Sequence, residues 1–116
     1  MPRRKTAEGY VLDAVMQYLA AKKIFAMRMN SGAMKIDNRF LRFGSPGMAD
    51  ILAFVKAGDA AADCWDRWMV VPYWIEVKAP KGKQSEAQKA FQKVVEEEDH
   101  RYILARGIED LERAGL

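Results

Sequence analysis

Three ionisable residues in two apolar runs are the first candidates for chemistry. The run WIEVK carries Glu76 and Lys78 two positions apart, and the run MADILAFV has Asp50 as its only polar member. Alternate residues of a strand share a face, so Glu76 and Lys78 project together while Ile75 and Val77 turn the other way. A carboxylate such as Asp50 is costly to bury alone. Set beside Glu76 on an adjoining strand, it completes a pair of carboxylates able to bracket a divalent cation. Mg²⁺ takes hard oxygen ligands in octahedral geometry, with one or two carboxylates and several waters; the backbone carbonyl of Val77 is a candidate third ligand. Such an ion acidifies water, and Lys78 would orient that water and offset charge on a pentavalent phosphate. The trio suits phosphodiester hydrolysis and would do little for hydride or acyl transfer. An isolated Glu-x-Lys also has a plainer reading, an exposed ion pair worth about 0–1 kcal/mol, and the spacing alone leaves both open.

The rest of the composition removes competing chemistries. His100 is the single histidine, which argues against a Ser-His-Asp triad, a zinc-histidine cluster and a histidine-metal nuclease. Cys64 is the single cysteine, so neither a cysteine-rich zinc site nor an internal disulfide is available. That usage suits a reducing cytosol. No glycine pattern of a phosphate-binding or dinucleotide-binding loop is present, so no nucleotide cofactor is expected. No apolar run approaches the roughly 18–20 residues of a membrane span. The basic start MPRRKTAEGY lacks a following apolar stretch, so no signal peptide is expected. The expected setting is the cytoplasm. Charge is unevenly spread: residues 1–56 hold ten Lys/Arg against four acids, a net +6, while the whole chain carries +3. A basic half points to a polyanion partner such as nucleic acid, although a basic balance is also common among soluble proteins.

These residues need elements to position them, and the 116 residues fit one domain, 1–116, with one modest core. Val11, Leu12, Val15, Met16 and Leu19 have helical spacing over Thr6–Lys23, with Thr6 as N-cap and Glu8 placed to complement the helix dipole. Ile24–Asn30 alternates as a strand, Asn30–Gly32 reads as a turn, and Arg39–Phe43 (RFLRF) is a second short strand. GSPG turns the chain into Ala49–Val55, a strand apolar on both faces except for Asp50, as in the middle of a sheet. Residues 56–67 read as a loop. Trp68–Lys78 is a long strand in which Pro72 marks a bulge or an edge. Ser85-Glu86-Ala87-Gln88 is a capping box opening a helix whose buried stripe is Ala87, Ala90, Phe91, Val94 and Val95. Arg101–Ala105 is a last strand and IEDLERAGL a short helix. The expected order is αββββαβα, an α/β fold with a mixed sheet flanked by helices. Its strand–helix–strand crossover near 70–105 should be parallel.

With these elements in place, the pattern GMAD50…IE76VK78APKGKQSEAQ88 resembles the PD-(D/E)XK nuclease superfamily, and within it the small VRR-NUC nucleases. Members carry a Gly-x-Pro-Asp turn and strand, a strand with Glu-Val-Lys, a short Lys/Gly loop, and Ser-x-x-Gln opening a helix. The resemblance spans nearly the whole chain, including Glu8 in the first helix, the Asn-Ser-Gly turn and the basic strand RFLRF. The family's proline before the aspartate is Ala49 here; that proline shapes the turn and does no chemistry. The resemblance implies a restriction-endonuclease-like core, with Asp50 and Glu76 as metal ligands and Lys78 as the catalytic lysine. It further implies that Glu8 reaches the site from the first helix, holding metal-bound waters or a second ion, and Gln88 from the second. Glu8 otherwise only complements its helix, and Gln88 otherwise only completes a cap.

The expected activity is therefore Mg²⁺- or Mn²⁺-dependent cleavage of DNA, selective for structure. The resemblance implies branched substrates such as four-way junctions, a homodimer, and a phage or bacterial setting. Arg39, Arg42, Lys81 and Lys83 are candidate phosphate contacts, each with a solvated surface charge as its plainer reading. Trp65, Trp68, Tyr73 and Trp74 are read first as packing or a dimer interface and second as stacking surfaces for bases. The alternatives are a non-cleaving nucleic-acid-binding module with a nuclease-like fold and a sequence-specific restriction-type endonuclease.

Overall fold

In the computed structural model, Thr6 begins the first helix by accepting a hydrogen bond from the Gly9 N–H through its hydroxyl at 3.0 Å. This helix, α1 (Ala7–Ala21), buries Val15 and Leu19, two of the positions its spacing assigns to the core. The structure describes residues 5–29, 46–56 and 69–116, and the backbone alone of Gly32–Ile36 and Arg39–Phe43. After α1 come the strands β1 (Phe25–Arg28), β2 (Gly32–Ile36), β3 (Arg39–Phe43), β4 (Ile51–Lys56) and β5 (Val70–Val77). Helix α2 (Glu86–Glu97), strand β6 (Arg101–Ala105) and helix α3 (Ile108–Arg113) follow.

Four strands form one sheet in the order β1-β4-β5-β6. The β1–β4 and β4–β5 pairs are antiparallel and β5–β6 is parallel, the last as the α2 crossover requires. The sheet is therefore mixed and lies between helices. Ile51 and Ala53 of β4, Ile75 and Val77 of β5, and Ile103 and Ala105 of β6 point to one face. There they join Val15 and Leu19 of α1 and Leu111 of α3 in the core. Removing that apolar surface from water, at about 25 cal/mol per Å², is what holds α1 and α3 to the sheet. The alternate residues Trp74 and Glu76 face the other way, toward α2. Trp74 meets Phe91 edge-to-face with centroids 5.0 Å apart.

Three features differ from the sequence expectation. Gly32 opens a strand instead of closing a turn, so the order is αβββββαβα, one strand more than expected. Among the described residues, the extra strand β2 pairs only with β3, in a separate two-stranded antiparallel ladder from Gly32↔Phe43 to Ile36↔Arg39. The basic strand RFLRF thus lies outside the four-stranded sheet. The signal was Asp37-Asn38 between two alternating runs, a two-residue hairpin spacing. The third difference concerns α2. Its stripe is only partly covered: Val95 is buried and Phe91 half-buried, but Ala87, Ala90 and Val94 are exposed, Val94 at 58%. A helix packed on one edge of a sheet covers a narrower stripe than one sunk in a core.

Pro72 sits where it costs the ladder little. It pairs with Phe54 on the β4 side, while the β6 ladder begins only at Tyr73, leaving Pro72 at an edge on that side. Residues 57–68, most of the expected loop with Cys64 and Trp65 and also Trp68 at the expected start of the following strand, lie outside the described residues, as do Asn30 and Ser31.

Candidate active site

Asp50 precedes β4 and Glu76 is near the end of β5. The register Ile51↔Ile75 brings the two acids side by side at one rim of the sheet. Asp50 is fixed at both ends: its carbonyl accepts from the Met29 N–H at 2.7 Å, and its Oδ2 accepts from the Val77 N–H at 2.8 Å. The side chain thereby takes the place of a ladder carbonyl, which aims the carboxylate at the β5 rim.

Glu76 is 2% exposed. Its Oε1 accepts from Gln88 Nε2 at 2.8 Å and lies 4.0 Å from Lys78 Nζ. Its Oε2 is buried with no hydrogen-bond partner. Burial first, then the Asp50 carboxylate, push the Glu76 carboxyl up to about 8; Lys78 opposes the shift and Glu8 adds to it. Two acids packed together with one oxygen unpaired are electrostatically incomplete. At neutral pH the pair is eased by the proton that Glu76 keeps, and a bound cation would take that proton's place.

Four of the expected site residues, Asp50, Glu76, Lys78 and Gln88, come together; Glu8 stands apart, with no hydrogen bond or ion pair to them among the described residues. Lys78 follows β5 with its side chain 15% exposed. Gln88 does two things at once. Its Oε1 accepts from the Ser85 N–H at 2.8 Å, completing the capping box of α2, while its amide nitrogen holds Glu76. The capping role and the site role are one arrangement. Glu8 is exposed in the first turn of α1, and its charge is felt at Glu76. Val77, whose carbonyl is the candidate third ligand, lies between Glu76 and Lys78 on the same strand. Among the described residues, no three His, Cys, Asp or Glu side chains gather into a ready-made ligand set. The site offers two carboxylates with a more distant third acid, which fits Mg²⁺ or Mn²⁺, ions that keep several waters.

The backbone of Gly47 (φ +73°) is what lets these parts meet. A Cβ at this position would run into the carbonyl and nitrogen of the first turn of α2, at Ala87 and Gln88. The turn ahead of Asp50 therefore touches the helix end that carries Gln88, with no room for a side chain.

The flanking positions separate. Lys81 and Lys83 are exposed on the β5–α2 loop. Arg39 and Arg42 lie on β3, their side chains outside the described residues. Tyr73 alternates away from Glu76. Trp74 is committed to packing: besides Phe91, its Nε1 donates to His100 Nδ1 at 3.0 Å.

The sequence reading missed a second layer. Gln84 Nε2 donates to Tyr102 Oη and to Gln92 Oε1, each at 3.0 Å. Tyr102 is pushed up to about 12, first by burial and then by charges that include Glu76 and Asp50, so it stays protonated. Only the parallel pairing Trp74↔Tyr102 places it beside the site, and that register is long-range information.

Comparisons of the chain with protein-family models, with characterised proteins and with solved structures find no match.

Proposed function

We propose that the chain is a divalent-metal-dependent DNA endonuclease of the PD-(D/E)XK, VRR-NUC-like type, acting on branched DNA such as four-way junctions. The observation that carries the reading is the buried, unpartnered Oε2 of Glu76 beside Asp50. A structural role would pair that oxygen or replace it with an apolar group. A module that only holds nucleic acid has no use for it.

Asp50 and Glu76 would hold the ion, with the Val77 carbonyl as a third ligand and Glu8 acting through water or a second ion. When bound, Mg²⁺ or Mn²⁺ supplies Lewis acidity to the phosphoryl group and acidifies water. Water adds to phosphorus, one P–O ester bond breaks, and the leaving oxygen takes up a proton. Lys78 orients the attacking water and offsets the charge that builds on the phosphoryl oxygens. Gln88 keeps Glu76 from rotating, so the carboxylate meets its ligand preorganised. Lys81 and Lys83, with Arg39 and Arg42 of the hairpin, contact flanking phosphates.

The test is cleavage of a four-way junction, a flap and a linear duplex in Mg²⁺, Mn²⁺ or EDTA. Metal-dependent cutting is expected, and Lys78→Ala should slow it by about 10²–10³-fold while still binding DNA. Cutting that survives EDTA, or that is undiminished in Lys78→Ala, rules the mechanism out.

A further inference from the structure

The loop between β5 and α2 carries two lysines, Lys81 and Lys83, that project into solvent. A mobile loop would lose much of their attraction for a ligand to the cost of ordering. This loop is fastened before any ligand arrives. The Gly82 N–H donates to the Ala79 carbonyl at 2.8 Å, closing a tight turn. A Cβ on Gly82 would crowd Ala79 at 3.2 and 3.3 Å and Lys78 Cβ at 3.4 Å, so the turn packs on the strand end that bears Lys78. Farther along, Gln84 is bound to Tyr102 and Gln92.

Between these points the Gly82 carbonyl accepts from Arg106 Nη2 at 2.9 Å. Arg106 stands at the junction of β6 and α3, where its own N–H donates to Asp110 Oδ2 at 2.8 Å. The other oxygen of Asp110 takes Arg113 at 2.8 Å. The Arg106 guanidinium thus reaches past an acid to a neutral carbonyl. No ion pair among the described residues takes up its charge. A planar guanidinium can hold a carbonyl in a fixed direction, so the part Arg106 plays here is to hold the turn at Gly82.

We infer that Arg106 is a positioning residue that fixes the Lys81–Lys83 turn in the shape presenting both lysines to a phosphate backbone. The inference rests on the nuclease reading for the identity of that polyanion. Its mark is coupling: Arg106 matters to binding only while the two lysines are there.

The experiment is binding of a fluorescent four-way junction, by anisotropy with Ca²⁺ in place of Mg²⁺. The proteins are wild type, Arg106→Ala, Arg106→Lys, the double variant Lys81→Ala/Lys83→Ala, and the triple variant with Arg106→Ala. The double variant should weaken binding about 10–100-fold and Arg106→Ala about 5–10-fold, with part of the loss recovered in Arg106→Lys. The triple variant should bind within about twofold of the double variant. Hydrogen exchange of the amides at 81–84 should quicken in Arg106→Ala, with β5 unchanged. Additive losses in the triple variant, wild-type affinity in Arg106→Ala, or unchanged exchange in the loop would each overturn the inference. Wild-type protein that ignores the junction would instead sink the nuclease reading, while the exchange comparison still reads the clamp.

Discussion

Glu76 is a carboxylate placed where an apolar side chain would be cheaper. Its proton affinity in the fold exceeds that in the unfolded chain, with the carboxyl raised from 4.5 to about 8. The folded state therefore holds a proton that the unfolded state releases first. Below pH 4.5 both states are protonated and the group is neutral to stability; between 4.5 and about 8 stability falls as pH rises, and above 8 the full loss is present. Mg²⁺ or Mn²⁺ binds the ionised form, so the stabilisation it gives should grow across the same window. Thermal melts from pH 5 to 8.5, with EDTA or with Mn²⁺, check this. Glu76→Gln should flatten the metal-free profile, abolish the metal response and lower cleavage by about 10³-fold or more. A metal response equal at pH 5 and pH 8 would contradict the assignment of Glu76 as a ligand.

Two elements meet through one glycine, and that contact is where the site is most vulnerable. Gly47→Ala asks an L-residue to adopt φ +73° and puts a methyl group into the backbone of α2. We expect a loss of about 2–4 kcal/mol in chemical denaturation. Cleavage should fall further than the unfolded fraction explains, because Asp50 and Gln88 are displaced together. Activity that merely tracks the folded population would show that the turn supports the fold alone. Much at this scale was legible in the sequence. The i, i+2 spacing of Glu76 and Lys78, the lone acid of MADILAFV and the Ser-x-x-Gln box are local patterns, and local patterns fix caps and strand faces. The separation of the β2–β3 ladder from the four-stranded sheet was not legible, because the Asp37-Asn38 spacing pairs two strands locally without saying what lies beside them. Nor was the exposure of Ala87, Ala90 and Val94, since a helical stripe shows which residues share a side and leaves open how much is covered. Tyr102 and Arg106 reach the site region only through the β5–β6 register and the β6–α3 junction. Short-range rules do not contain either.

For the molecule as a whole, a homodimer is part of the proposed reading, and the uncovered side of α2 offers such a partner something to bury. Val94, Ala87, Ala90 and Phe91 border, with Pro46, an open apolar cleft of about 500 Å³. Sedimentation at micromolar concentration should give a dimer, and Val94→Glu should shift it toward monomer by opposing a charge to that surface. A monomeric wild type would remove the dimer and leave the single-site chemistry untouched. No described helix is long and apolar enough to cross a membrane.

The acids sit beside or on β4 and β5, the two interior strands of the sheet. Interior strands are flanked on both sides, so they fray last. The paired acids are therefore expected to lie in the part of this sheet that opens last. The lysine loop leaves the sheet at the end of β5. On the proposed reading, changes to the exposed Lys81 and Lys83 would alter substrate preference while leaving the paired acids in place.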